Sequence, residues 1–370
     1  MSRLLSSLVT LPLILTLGCG ETGFPAGEEG PSAALPQLLP GSQVEAPIRT
    51  RLLGEVSADR LAEACALGAP VDIEGDLVLV ELESLPDVGC LESVSGDLRV
   101  EGNPELTDLL GLERLTWLGG DLAITDNPHL ESLEGLSGLG DLEGNLHLWG
   151  NAALLDLAGL DGVTSVAGTV YLADHERLES LDGLQALRSV AGSIEVRDNP
   201  ALISVDGLER LESVAGRVEL RGSEALASLA GLDRLQLVGG TLRLARLPVA
   251  DLLPLASLRT AGAVVLEELP QVRDLAGLEA LVSIDESLVV EDLGGLVRLD
   301  GLESLQTVGG SVRVVGNGGL EKVFALAGID GVGGDLVVTD NESLPAAAVQ
   351  EMVEAIGKVE GAIVVDGNGE

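Results

Sequence analysis

His129, His147 and His175 are the only imidazoles in this chain, and Cys19, Cys65 and Cys90 are its only cysteines. Any metal or acid–base chemistry would have to combine them with the 60 Asp and Glu side chains. The histidines fall at different positions of a repeat or in distant layers, and no His-Glu-x-x-His or similar zinc-ligating spacing occurs. A cysteine nucleophile needs a paired histidine, which the spacing does not supply. So many carboxylates place pairs at glycosidase separations by coincidence alone, so acidic pairs carry no weight. Asp76, Asp97, Asp121 and Asp335 recur at strand starts without the calcium-binding Gly-Gly-x-Gly-x-Asp pattern and read as solvated positions. Neither catalysis nor a metal or other cofactor is expected.

Binding chemistry fits better. In successive units, the positions expected to face outward carry His147 and Trp149, then Tyr171, then Glu195 and Arg197, then Arg217, Glu219 and Arg221, then Arg243. The only Tyr, one of two Trp and one of three His thus fall on adjacent strands of one face, with Arg enriched beside them. Trp, Tyr and Arg dominate interface hot spots. The competing reading is cross-strand packing of large side chains on a solvated sheet. Trp117 falls elsewhere in the repeat.

The elements that position these residues follow from the repeat itself. Gly96, Gly120, Gly144, Gly168, Gly192, Gly216 and Gly240 share one interval, which resumes after a slightly short unit at Gly262, Glu286, Gly310 and Gly334. Gly75 and Gly361 open the first and last units. Each unit reads Gly-x-apolar-x-apolar, two residues, Asn, then spaced leucines. The alternation at Leu98 and Val100 predicts a short strand with both side chains on one face. Stacked units make a parallel sheet, because one unit cannot bury its own apolar face. The Asn column (Asn103, Asn127, Asn151, Asn199, Asn317, Asn341 and Asn368) suits an inward amide that satisfies turn backbone; His175 occupies the same column. Gly111, Gly135, Gly159, Gly183, Gly207 and Gly231 permit a tight second bend.

The stretches GDLRVEGNPELTDLLGLERL (96–115) and GSIEVRDNPALISVDGLERL (192–211) resemble the leucine-rich-repeat-like receptor L-domain of insulin- and EGF-receptor ectodomains and of fungal cell-wall proteins. The similarity covers about Val71 to Asn368. It implies a solenoid and a binding role, but no particular ligand. The chain stacks more units than one receptor module and lacks the Cys-rich modules between receptor L-domains. An even pair of cysteines in an exported chain, Cys65 and Cys90, suggests a disulfide between the N-terminal cap and the first unit. The resemblance points the same way; two free buried thiols are the alternative. Ser57 can cap a helix through Leu67 whose Leu61, Ala64, Cys65 and Leu67 seal the first layer, and Pro345 to Ile356 reads as a second helix. Polysaccharide lyases on parallel β-helices keep a carbohydrate-active alternative, against which no Lys or Arg stands with carboxylates in a catalytic constellation.

Composition agrees with thin layers rather than one globular core: 46% of residues are hydrophobic, yet only 1% are aromatic, and Gly numbers 49. A net charge of −39 argues against nucleic acid, which needs clustered Lys and Arg. Arg3 and the apolar run Leu4 to Leu17 read as an export signal too short to span a bilayer. The run ends in Leu15-Thr16-Leu17-Gly18-Cys19, which resembles a bacterial lipoprotein signal with Cys19 as the lipidated residue, Thr16 standing where that signal usually has Leu. Gly20 and Glu21 resemble outer-membrane sorting if the host is Gram-negative. The expected organisation is a signal peptide over 1–18, a lipid-anchored flexible tether over 19–50 and an N-terminal helical cap over 51–74. A repeat solenoid over 75–344 and a C-terminal cap helix with the last strand over 345–370 complete it. The expected fold is mainly β: a single right-handed parallel β-solenoid of about 24 residues per turn with short helical caps at both ends. The expected partner is a protein or other envelope macromolecule, with a purely structural spacer as the alternative.

Overall fold

A computed structural model describes residues 49–370; Cys19 and the export signal lie outside the described residues. The chain winds into a parallel β-solenoid of about 13 turns, each of about 24 residues. The turns stack through a main row of strands, mostly of four residues, from Leu77–Val80 through Leu98–Glu101, Leu122–Thr125 and onward to Ile363–Asp366. Leu237–Ala245 and Thr260–Glu267 are longer and run through both rows. Pairing keeps equivalent residues side by side, as in Leu98↔Leu122 and Val100↔Ile124. A second row of mostly two-residue strands, such as Ser189–Val190 and Ser213–Val214, runs beside it. That row is present from Thr50–Leu53, which pairs with Val71–Glu74.

The first and third residues of each main strand point inward because strand side chains alternate. Leu and Val fill these places, and with the loop leucines they form one continuous apolar core from Val56 to Ile356. The helix α1 (Ala58–Cys65) starts at Ser57, whose hydroxyl accepts from the Arg60 N–H. It buries Ala58, Leu61 and Ala64 on the first layer. Leu67 takes no part in this seal: it lies beyond the helix end and is 74% exposed. Cys65 and Cys90 form a disulfide with Cα atoms 5.4 Å apart, which ties α1 to the first unit. A second helix, α2 (Ala346–Ala355), sits within the longest turn and buries Val349 and Met352. The strand Ile363–Asp366 pairs only with Leu336–Thr339 and is exposed along its length.

Two ladders of side-chain acceptors stitch the turns together. In the Asn column, the Asn127 Oδ1 accepts from the Asn103 N–H at 3.0 Å, while its amide donates to the Val100 carbonyl at 2.9 Å. The same exchange recurs at Asn151, Asn199, Asn317, Asn341 and Asn368. Ser223 continues the column, and Leu247, Leu269 and Leu293 then break it, all buried. The second ladder runs along the strand starts. Asp76, Asp97, Asp121 and Asn145 each accept from the backbone N–H of the matching residue one turn later. Thr169, Ser193, Ser287, Ser311 and Asp335 do the same further on. Asp76, Asp97 and Asp121 are therefore half-buried caps rather than merely solvated groups, and Asp335 caps from an exposed position. The Asp121 N–H, aided by the Arg99 guanidinium, holds the Asp97 carboxyl below its usual range.

One residue precedes each rung of the Asn column, and in every turn it is left-handed: Gly102, Asp126, Gly150, Asp174 and Asp198 are examples. Gly, Asp and Asn tolerate that region, whereas Arg246 and Glu268 occupy it at a cost of about 1–2 kcal/mol each. The bend lets the chain turn inward to place the ladder side chain.

His175 takes an Asn rung: its Nδ1 accepts from the Asn151 N–H at 3.2 Å, which puts the hydrogen of the neutral form on Nε2, a buried atom without a partner of its own. Burial pushes its pKa down from 6.5 to about 4. Between those values the unfolded chain binds a proton that the folded chain refuses, so stability falls as pH drops from 6.5 to 4. The loss amounts to about 3 kcal/mol. In His175→Asn this component disappears. Denaturant unfolding of both proteins at pH 7.5 and 4 should show the variant gaining about 3 kcal/mol on the parent at the lower pH; parallel pH profiles would reject the assignment.

Candidate binding face

The outward second position of each main strand forms one column, in which His147, Tyr171, Glu195, Glu219 and Arg243 are direct neighbours. The fourth position forms another: Trp149, Ala173, Arg197 and Arg221. Arg217 stands immediately before the strand Val218–Arg221, at the level of the second ladder. All nine side chains therefore lie on one continuous face, but they divide into two parts with different chemistry.

The first part is a closed ion network. Glu195 and Glu219 sit directly opposite each other, a like-charge pair that destabilises a sheet unless compensated. Arg197 compensates both, with Nη2 at 2.7 Å from Glu195 and 2.8 Å from Glu219. Arg217 pairs with Glu195 and lies 3.6 Å from Glu219, and Arg221 bridges Glu219 and Asp198. The guanidinium groups cover the carboxylates so well that Glu195 and Glu219 are buried. Arg243 pairs instead with Glu267 at 2.6 Å. Charge here is neutralised internally, and the network holds the sheet more than it offers itself to a ligand. Each buried carboxylate meets at least two arginines, so removing one weakens the network without leaving a carboxylate unpaired. Removing Arg197 and Arg217 together would strip Glu195 of both its partners, the costly half of such an arrangement.

The second part is open. His147 meets Tyr171 edge to face, with ring centroids 4.8 Å apart and planes at 87°. The Arg197 guanidinium lies 5.9 Å over the Tyr171 ring. The Trp149 indole N–H donates to Asp174 across the small Ala173. On the other side, Ala123 and Thr125 are the partners of His147 and Trp149. These short neighbours leave the rings standing above the sheet and open a concavity of about 480 Å³. Asp121, Asn145, Leu146, His147, Trp149, Thr169, Tyr171 and Glu195 line it.

Trp117 is not part of this face. It belongs to the second row, where it pairs with Ser93, lies against Gly119 and is 46% exposed. His129 is likewise separate, its ring against the Pro104 carbonyl. Sequence patterning could not distinguish the two parts of the face, because the distinction depends on how far each arginine reaches across strands. The small residues Ala123 and Ala173 were the available signal for the opening.

Among the described residues, no group of three His, Cys, Asp or Glu side chains is placed to hold a metal ion. No helix among them is long and apolar enough to cross a membrane. No family model, curated protein or solved structure matches the chain.

Proposed function

We propose that this protein is an exported, lipid-anchored envelope protein, similar to receptor L-domains, whose solenoid binds another macromolecule through the strands from His147 to Arg243 and performs no catalysis. The observation that carries the reading is the three-ring opening at His147, Trp149 and Tyr171 on an otherwise regular surface. Regular turns need only a continuous core and satisfied ladders, and an exposed ring cluster serves neither. Solenoids commonly use such repeated faces for recognition, and Trp, Tyr and Arg suit it. Anchoring at Cys19, with 19–50 as the tether, would hold this face away from the bilayer.

The test is crosslinking in intact cells followed by recovery of the protein, comparing the parent with a Trp149→Ala, Tyr171→Ala, Arg221→Ala variant. Loss of at least one partner with retained folding is the expected result. An unchanged partner set would reject the face and favour a spacer role, in which deletion of a whole turn is tolerated. Acyl labelling of Cys19→Ser tests the anchor separately, with loss of label expected and equal labelling excluding lipidation there.

A further inference from the structure

The division of the face into a neutralised network and an open ring cluster narrows what the opening can hold. This step rests on the binding role proposed for the face. We infer that the concavity at His147, Trp149 and Tyr171 is a receptor for an arginine side chain presented by a basic partner protein.

Three features of the site converge on a planar cation. Aromatic faces attract cations through their ring quadrupole, Trp most strongly, and a guanidinium also stacks flat on them. The site already contains one such contact of its own, Arg197 over Tyr171. Its carboxylates are also available. Asp121 uses Oδ1 to accept from Asn145 and pairs with no basic side chain among the described residues. Asp174 stands outside the lining, at the Trp149 rim: it is exposed, accepts from the Trp149 indole and likewise has no basic partner among them. These two acids differ from Glu195 and Glu219 next door, which already hold three arginines. A guanidinium entering between the rings and Asp121 would stack flat on an aromatic face while donating a charge-assisted hydrogen bond to the free Asp121 Oδ2, a combination that a lysine ammonium cannot match.

The wider charge acts in the same direction. With a net charge of −39, the surface attracts basic partners before contact, and this steering weakens as salt rises. Steering alone gives no specificity, so the experiment must separate it from capture in the groove. Asparagine is well suited to this. Asp121→Asn keeps the acceptor oxygen of the ladder, which already uses Asn145 in the next turn. Asp174→Asn keeps an acceptor for the indole and remains compatible with its left-handed backbone.

The chain contains only two tryptophans, so a Trp117→Phe background makes Trp149 the sole indole reporter. In that background the full chain is titrated with three blocked pentapeptides, Gly-X-Gly-X-Gly, in which X is Arg, Lys or Gln. A saturable change in indole fluorescence is expected with the arginine peptide, weaker binding with the lysine peptide and none with the glutamine peptide. The Asp121→Asn, Asp174→Asn pair should weaken arginine-peptide binding at least about tenfold. A control pair that removes the same charge elsewhere, Asp251→Asn with Asp366→Asn, should change it less than about twofold. Equal weakening by both pairs, or binding indifferent to both, would show diffuse attraction and overturn the assignment. The two readings fail separately. If the alanine variant loses its cellular partner while the arginine peptide leaves Trp149 unchanged, the face stands and arginine recognition falls. If the peptide binds in the groove while the cellular partners are unaltered, arginine recognition stands and the larger face falls.

Discussion

Replacing Asn127 by alanine is expected to lower the free energy of unfolding by about 4 kcal/mol, a large effect for a residue that touches no ligand. Five hydrogen bonds meet on this amide. Its Oδ1 accepts from the Asn103 backbone and side chain at 3.0 and 2.9 Å. Its Nδ2 donates to the Val100 and Thr125 carbonyls at 2.9 and 3.0 Å and to Asn151 at 3.2 Å. Alanine leaves the buried Asn103 N–H and Val100 carbonyl without these partners, and each orphaned group costs about 1–3 kcal/mol. A trapped water would recover part of this loss. The defect should remain local, because a solenoid couples mainly nearest neighbours. Hydrogen exchange should therefore show lost protection around Asn103 and Asn151, with turns beyond Leu242 unchanged. A denaturation midpoint equal to that of the parent would refute the role of the ladder. The contrast with Leu247, Leu269 and Leu293 is instructive. Three leucines in successive turns of this column are all buried in the apolar core, whereas a single apolar residue between asparagines breaks bonds on both sides.

The sequence revealed the architecture because each turn reuses the same apolar positions, so an error at one unit is corrected by its neighbours. Leu98, Leu122 and Leu146 are interchangeable copies of one environment. Legibility failed where a position keeps its job but changes its residue. The strand-start ladder passes from Asp121 to Asn145, Thr169 and Ser193, sharing only an acceptor oxygen, and residue-type matching does not register that as a column. The position before each rung is Gly or Asp in most turns but Arg246 and Glu268 in two successive ones, so residue type alone does not mark it as left-handed. On the candidate face, the strand alternation placed Glu195 and Glu219 outward, and their near-complete burial under arginines is a property of neighbouring turns that no single unit encodes. Leu67 illustrates the opposite error: an apolar residue at helical spacing looked like core, but the helix ended before it.

A methyl group at Gly183 should be more damaging still, at about 5 kcal/mol, and it distinguishes two roles of glycine in this fold. Gly183 lies in the second bend with φ 115°, a region that an L side chain rarely enters. The methyl would also overlap the Leu157 carbonyl of the preceding turn, with the Ala158 N only 2.8 Å away. Those are backbone atoms, fixed by the Leu157 N–H bond to the Asp182 carbonyl, so they cannot rotate aside. Relief requires the turns to separate, which opens the core at Leu160 and Leu184. Gly68 supplies the comparison: its φ is 76°, and a methyl there meets nothing within 4 Å. Gly68→Ala should therefore cost only the conformational penalty, about 1 kcal/mol. Unfolding of the two alanine variants should differ several-fold in energetic cost. Equal costs would mean that backbone conformation alone, rather than the close approach of successive turns, selects glycine at the second bend. Closeness is the stronger demand because parallel turns must keep a constant spacing at every corner. Gly159, Gly207, Gly231, Gly277 and Gly301 meet the preceding turn in the same way. Gly135 does so without a positive φ, inside the short helical turn Glu134–Leu136, which shows the approach acting where the conformational argument is absent.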